Sequence, residues 1–83
     1  MNPTEVTALI EAGLPGAQVH VRSDDDTHFE ALIVAPQFEG KRMIQRHQLV
    51  YGTLGALMGR EIHALTMQVM TPGEAANGPR ATG

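Results

Sequence analysis

Apolar positions in the first half of the chain change their period in a way that marks out separate elements. Val6, Leu9, Ile10, Gly13 and Leu14 recur at spacings of three and four, which is one face of a helix. Asn2-Pro3-Thr4-Glu5 reads as its start: Asn2 can cap, Pro3 suits the first turn, and Glu5 is placed to return a bond to the cap. Gly13 and Pro15-Gly16 end it. From Ala17 to Arg22 the period falls to two. Val19 and Val21 share one face, Gln18, His20 and Arg22 the other, and this predicts a half-buried strand. Ser23-Asp24-Asp25-Asp26-Thr27 is too polar to be buried. His28 to Ala35 carries apolar side chains on both faces, as expected of an interior strand, and Pro36, which cannot donate to a ladder, closes it.

The densest stretch runs from Phe38 to Met58. After a loop over Gln37–Lys41 it turns helical, with Met43, His47, Val50, Tyr51, Leu54, Leu57 and Met58 on one predicted stripe. Lys41, Arg42, Gln45, Arg46 and Gln48 fall largely outside it. Gly52 and Gly55 are poor interior helix residues, each costing up to about 1 kcal/mol relative to alanine, so the expectation is two helices, Arg42–Tyr51 and Thr53–Gly59. Gly59-Arg60-Glu61 turns into a third strand, Ile62–Met70, with His63, Leu65, Met67 and Val69 on one face. The order is α-β-β-α-α-β, an α+β fold. The first two strands pair antiparallel, and a right-handed helical crossover brings the third parallel to the second. Helices cover one face of this three-stranded mixed sheet. Residues 1–72 form the single domain. From Thr71 onward, TPGEAANGPRATG has too little apolar content to pack, so 73–83 is expected to be a flexible tail with at most one turn near Pro72–Ala76.

Charge and composition narrow the function. At 83 residues and a formal charge of −3, the chain is one small domain and no polycation, which disfavours indiscriminate nucleic-acid binding. Three of its six Lys and Arg residues nevertheless lie between Lys41 and Arg46, opposite the pole formed by Asp24, Asp25 and Asp26. No cysteine is present, so a disulfide or Cys-based metal site within the chain is excluded. Without an apolar run of about 20 residues or a basic-then-apolar leader, a cytoplasmic protein without a membrane span is expected. There is no nucleophile elbow, phosphate loop or HExxH pattern, and three adjacent aspartates make a solvated turn rather than an acid–base pair. A non-enzymatic role is therefore expected. Of the histidines, His20 lies on a polar strand face. His47, beside Val50 and Tyr51, reads as structural or as a phosphate contact. His63 opens a strand at a turn, where its ring can reach solvent.

FEGK, QRH and LVYG within Phe38–Gly52, followed by Ile62-His63-Ala64-Leu65 and Thr71-Pro72, resemble the signature of the BolA family, and within it the short IbaG-like members. The resemblance extends over roughly Val6 to Pro72. It implies a KH-like fold with the element order of type II KH domains. It also implies an adaptor that partners monothiol glutaredoxins and shares a bridging [2Fe–2S] cluster in iron–sulfur and iron homeostasis, His63 standing where the family has a cluster ligand. Neutral imidazole is a competent iron ligand, and a chain without cysteine joins such a cluster only if its partner supplies sulfur. The second family ligand comes from the loop between the first two strands. Here the candidate is His28, with His20 further back, and the acidic loop beside it is an unfavourable neighbour for an anionic cluster. The same resemblance carries an alternative, a DNA-binding transcriptional regulator of stress response and morphology. KH domains grip phosphates with a GxxG loop, and Gly40-Lys41-Arg42-Met43 keeps the first glycine but not the second. Lys41, Arg42, Arg46 and His47 are then the nucleic-acid contacts, although two Phe and one Tyr are too few for a stacking platform. Expected partners are a monothiol glutaredoxin, DNA and, at most, a weak homodimer. A plain interaction module with neither metal nor nucleic acid is the third reading.

Overall fold

The computed structural model describes residues 1–77. Helix α1 (Pro3–Gly13) begins with the capping box its sequence predicts: Asn2 Oδ1 accepts from the Glu5 N–H at 2.9 Å, and Glu5 Oε1 accepts from the Asn2 N–H at 2.9 Å. These bonds satisfy amides that the helix itself leaves without partners. Val6, Ile10 and Leu14 are its buried line. Gly13 sits at the crossing with the next long helix, where an added Cβ would lie 2.4 Å from Thr53 Cγ2. No other residue fits there without pushing the helices apart.

Strands β1 (Gln18–Arg22) and β2 (His28–Val34) pair antiparallel, and β3 (Ala64–Met70) joins β2 in parallel. The sheet order β1-β2-β3 makes β2 the interior strand, as its two-sided apolarity predicts. Alternation assigns Val19, Phe29, Ala31, Ile33 and Val69 to the core and leaves His20, Arg22, Glu30, Thr66 and Gln68 exposed on the open face. The parallel register sets one corner of the sheet. His28 opposes Ala64, so the start of β2 lies beside the entry to β3.

The crossover contains a 3₁₀ turn (Pro36–Phe38), helix α2 (Met43–Leu54) and a second 3₁₀ turn (Gly55–Leu57). The α-β-β-α-α-β order and mixed sheet are those expected from the sequence, with one difference at the break. The helix runs through Gly52, and only Gly55, at φ 56°, stops it. The second central helix is thereby reduced to a single turn. The stripe on α2 is also narrower than its periodicity predicts. Arg46, Val50 and Leu54 are the buried line, while Met43 and Tyr51 are 54% and 40% exposed. Ile62, fully buried, lies outside β3 and bridges to Met58.

A further helix, α3 (Pro72–Asn77), stands where low apolar content predicts the beginning of a flexible tail. Its start is again a capping box. The Thr71 N–H donates to Glu74 Oε1 at 2.9 Å and the Glu74 N–H to Thr71 Oγ1 at 3.1 Å. Thr71-Pro72-Gly73-Glu74 thus repeats the logic of Asn2-Pro3-Thr4-Glu5, a signal that composition alone overlooks. The remainder of the expected tail, 78–83, lies outside the described residues.

Candidate functional site

Two histidines from opposite sides of the crossover meet at one end of the sheet. His28 opens β2. His63 precedes β3, one residue after the buried Ile62 and one before the strand begins. Sequence periodicity puts His63 on the Leu65-Met67-Val69 face. The strand starts only at Ala64, so His63 lies just outside it, and His63 is exposed. The two imidazole centres lie 6.2 Å apart with their planes inclined at 35°.

The loop between β1 and β2 holds this pair from beneath. The Thr27 carbonyl accepts from the backbone N–H of His63 at 2.9 Å and of Ala64 at 3.3 Å. Ser23 Oγ donates to the His28 carbonyl at 2.6 Å and accepts from the Asp26 N–H at 2.9 Å. Asp26 takes up the left-handed conformation at φ 60°, which Asp tolerates better than most residues. Asp25 is the hub. Its Oδ1 accepts from the N–H of His28 at 2.9 Å and of Thr27 at 3.0 Å, and its Oδ2 lies 2.7 Å from His28 Nδ1. The His28 and Thr27 amides, followed by the imidazole, hold the Asp25 carboxyl well below the usual carboxylate range. The acidic loop is therefore not a bare negative neighbour, as its sequence implies. Its central carboxylate is already engaged by the histidine.

The pair suits an iron site that takes two imidazoles on one metal, as in histidine-ligated [2Fe–2S] centres. Two imidazoles bound at about 2.1 Å to one tetrahedral ion have ring centres about 5 Å apart. The observed separation is 6.2 Å, and both residues are exposed. His28 Nδ1 is engaged by Asp25, which leaves Nε2 to bind. Among the described residues no group of three or more His, Asp or Glu side chains is arranged to hold a metal ion. A metal on His28 and His63 thus takes its other ligands from outside the described residues. His20, on the open face of β1, opposes Leu32 rather than either of them.

The basic cluster divides. Lys41 and Arg42 are exposed at the start of α2, and Gly40, at φ 73°, makes the turn before them. Arg46 is different. Its side chain is 9% exposed, and its guanidinium donates to both Glu74 carboxylate oxygens, at 2.7 and 3.1 Å. It also reaches the Lys41 carbonyl at 3.0 Å and the Val69 carbonyl at 3.4 Å, and lies 5.9 Å from the Phe38 ring centre. With four of its five N–H donors engaged and its side chain largely withdrawn from water, Arg46 is poorly placed for phosphate, unlike the exposed contact its sequence suggests. The physical reason is helix α3, which extends the single turn expected near Pro72–Ala76 and brings Glu74 onto it. His47 is half-buried on α2.

Comparison with known proteins gives this geometry its family. The family model described as BolA-like protein matches residues 7–74. The chain belongs to the BolA-like family. It is 40% identical over 75 residues to a protein from the rpoN–murA intergenic region of Acinetobacter guillouiae, covering 89% of each chain. It is 36% identical over 55 residues to the DNA-binding transcriptional regulator BolA of Haemophilus influenzae, 66% of this chain and 53% of that one. With protein BOLA1, chloroplastic, of Arabidopsis thaliana it shares 41% over 64 residues, which is 77% of this chain but 37% of the longer plant protein. Among solved structures, a BolA homologue from Coxiella burnetii superimposes with a TM-score of 0.82 at 38% identity, covering 92% of this chain and 97% of that one.

Proposed function

We propose that this BolA-like chain is a non-enzymatic cytoplasmic adaptor that pairs with a monothiol glutaredoxin and shares a [2Fe–2S] cluster with it. The observation that supports this reading most is the convergence of His28 and His63, two exposed imidazoles with centres 6.2 Å apart, on a rigid sheet end. The chain brings nitrogen ligands and no thiolate, so the glutaredoxin supplies the sulfur. When bound, the cluster would supply electron-transfer or cluster-donor chemistry, and two histidine ligands raise its potential above that of an all-thiolate cluster. The chain's own task is to hold two imidazoles at a surface a partner can reach.

The test is the visible absorption and circular dichroism of the chain mixed with a cluster-loaded monothiol glutaredoxin. His63→Ala is expected to stay folded and to change the spectrum of the mixed cluster, and His28→Ala to do the same. A folded His63→Ala protein whose mixed-cluster spectrum and affinity match the parent would refute the ligand role.

A second reading, a DNA-binding regulator acting in stress response and morphology, draws support from the name of the Haemophilus relative. It draws further support from the exposed Lys41 and Arg42 at the start of α2, where amides and side chains together favour phosphate.

A further inference from the structure

The loop carboxylate does more than neutralise charge: we infer that Asp25 is the positioning residue that selects which nitrogen of His28 is free to bind metal. The inference rests on the cluster reading for its consequence, but its physical content is a property of the isolated chain. A neutral histidine carries one ring proton and can bind a metal only through its bare nitrogen. At Nδ1 two side chains compete. Asp25 Oδ2 is 2.7 Å away and Thr27 Oγ1 is 3.0 Å away. The hydroxyl is indifferent, since it can donate or accept. The carboxylate is not. Ionised, it only accepts, so its lone pairs facing a bare Nδ1 would repel, while a proton on Nδ1 makes a short charge-assisted bond. Asp25 therefore holds the proton on Nδ1 and leaves Nε2 bare.

The carboxylate is itself immobilised. Its other oxygen accepts from the Thr27 and His28 amides, so it swings away only by giving up two backbone hydrogen bonds. The same turn carries the Thr27 carbonyl that binds the His63 and Ala64 amides. One short loop thus sets the proton on the first imidazole and anchors the backbone of the second. This is the carboxylate–histidine arrangement by which many metal sites orient their ligands, here present before any metal arrives.

The prediction is read from the isolated chain by long-range proton–nitrogen NMR of the imidazoles, at a pH where the rings are neutral. Histidine left to itself favours the proton on Nε2. In the parent, His28 is expected to show the opposite tautomer, protonated on Nδ1. Asp25→Asn keeps an oxygen for the two amides but turns an NH₂ toward Nδ1, and should return His28 to the Nε2-protonated form with the backbone amide spectrum of the sheet preserved. Thr27→Val should leave the parent tautomer in place. With a cluster-loaded monothiol glutaredoxin, Asp25→Asn is expected to weaken mixed-cluster formation roughly tenfold or more. A parent His28 protonated on Nε2 would overturn the inference without need of any variant, as would a tautomer that changes in Thr27→Val and not in Asp25→Asn. If the tautomers behave as stated but the parent forms no mixed cluster, Asp25 still positions His28 and the cluster reading is what fails.

Discussion

Two pairs of a carboxylate with a nitrogen-bearing side chain, equal in length, do opposite work in this molecule. Asp25 meets His28 at 2.7 Å, and Glu74 meets Arg46 at 2.7 Å. In the first, both side chains are open to solvent, 66% exposed for His28 and 51% for Asp25. The pair offers a nitrogen outward. In the second, the Arg46 side chain is 9% exposed and joins α2 to α3, to a loop carbonyl and to β3. Its guanidinium faces inward and closes the fold, although Glu74 is 51% exposed. Distance alone does not tell a functional pair from a structural one. The number of backbone groups that the nitrogen-bearing side chain satisfies, and how far it is withdrawn from water, does.

The contrast is broken most forcefully at Arg46. Arg46→Ala leaves Glu74 and two carbonyls without their partner and is expected to cost about 2 kcal/mol, the lower end for a desolvated pair because Glu74 remains half in water. His63→Ala should stay within about 0.5 kcal/mol of the parent. Urea unfolding of both variants measures this, and equal losses would erase the distinction. A smaller effect concerns acid. The Arg46 guanidinium, followed by the Thr71 amide, lowers the Glu74 carboxyl from 4.5 to about 2. A depressed value in the folded state means that docked α3 releases a proton. Its contribution is complete above pH 4.5 and is lost as pH falls toward about 2. Amide shifts of α3 followed by NMR should move in that window, and the movement should disappear in Glu74→Gln. The finest distinction lies in any DNA binding. Replacing Lys41 and Arg42 with Ala should lower its salt slope by about 2, with no further change on adding Arg46→Gln. A loss of about 3 in the triple variant would return Arg46 to the phosphate contacts, and no binding at low salt would end that reading.

Much of this architecture is legible in local pattern. The Asn2–Glu5 capping box, the alternation of β1 and the two-sided apolarity of β2 each depend on near neighbours, and each appears as expected. His63 stands out through its motif, and its exposure through the turn before it. What stays hidden is non-local. Arg46 reads as polar surface, yet it continues the Val50–Leu54 line backward by one turn, in a place where an apolar residue would ordinarily be sought. Its partner Glu74 lies 28 positions away, inside a segment whose composition predicts no packing. A helix held by one ion pair and one cap exchange carries almost no hydrophobic signal. The Asp25–His28 bond is local, but three adjacent aspartates are equivalent on paper, and only the turn geometry decides which of them reaches the ring.

The parallel pairing of β2 with β3 also dictates when the histidine pair comes into being. The β1–β2 hairpin and α1 are built from contacts close in sequence and can form early, whereas β3 gains its partner only after the whole crossover has closed a loop. His28 is ready as soon as the hairpin exists, but His63 reaches it only with that long-range, entropically costly docking. A chain still emerging, or one that has lost its last strand, therefore shows a single imidazole at this corner. The two-histidine corner belongs to the finished fold, because its second imidazole arrives only with the long-range pairing of β3 to β2.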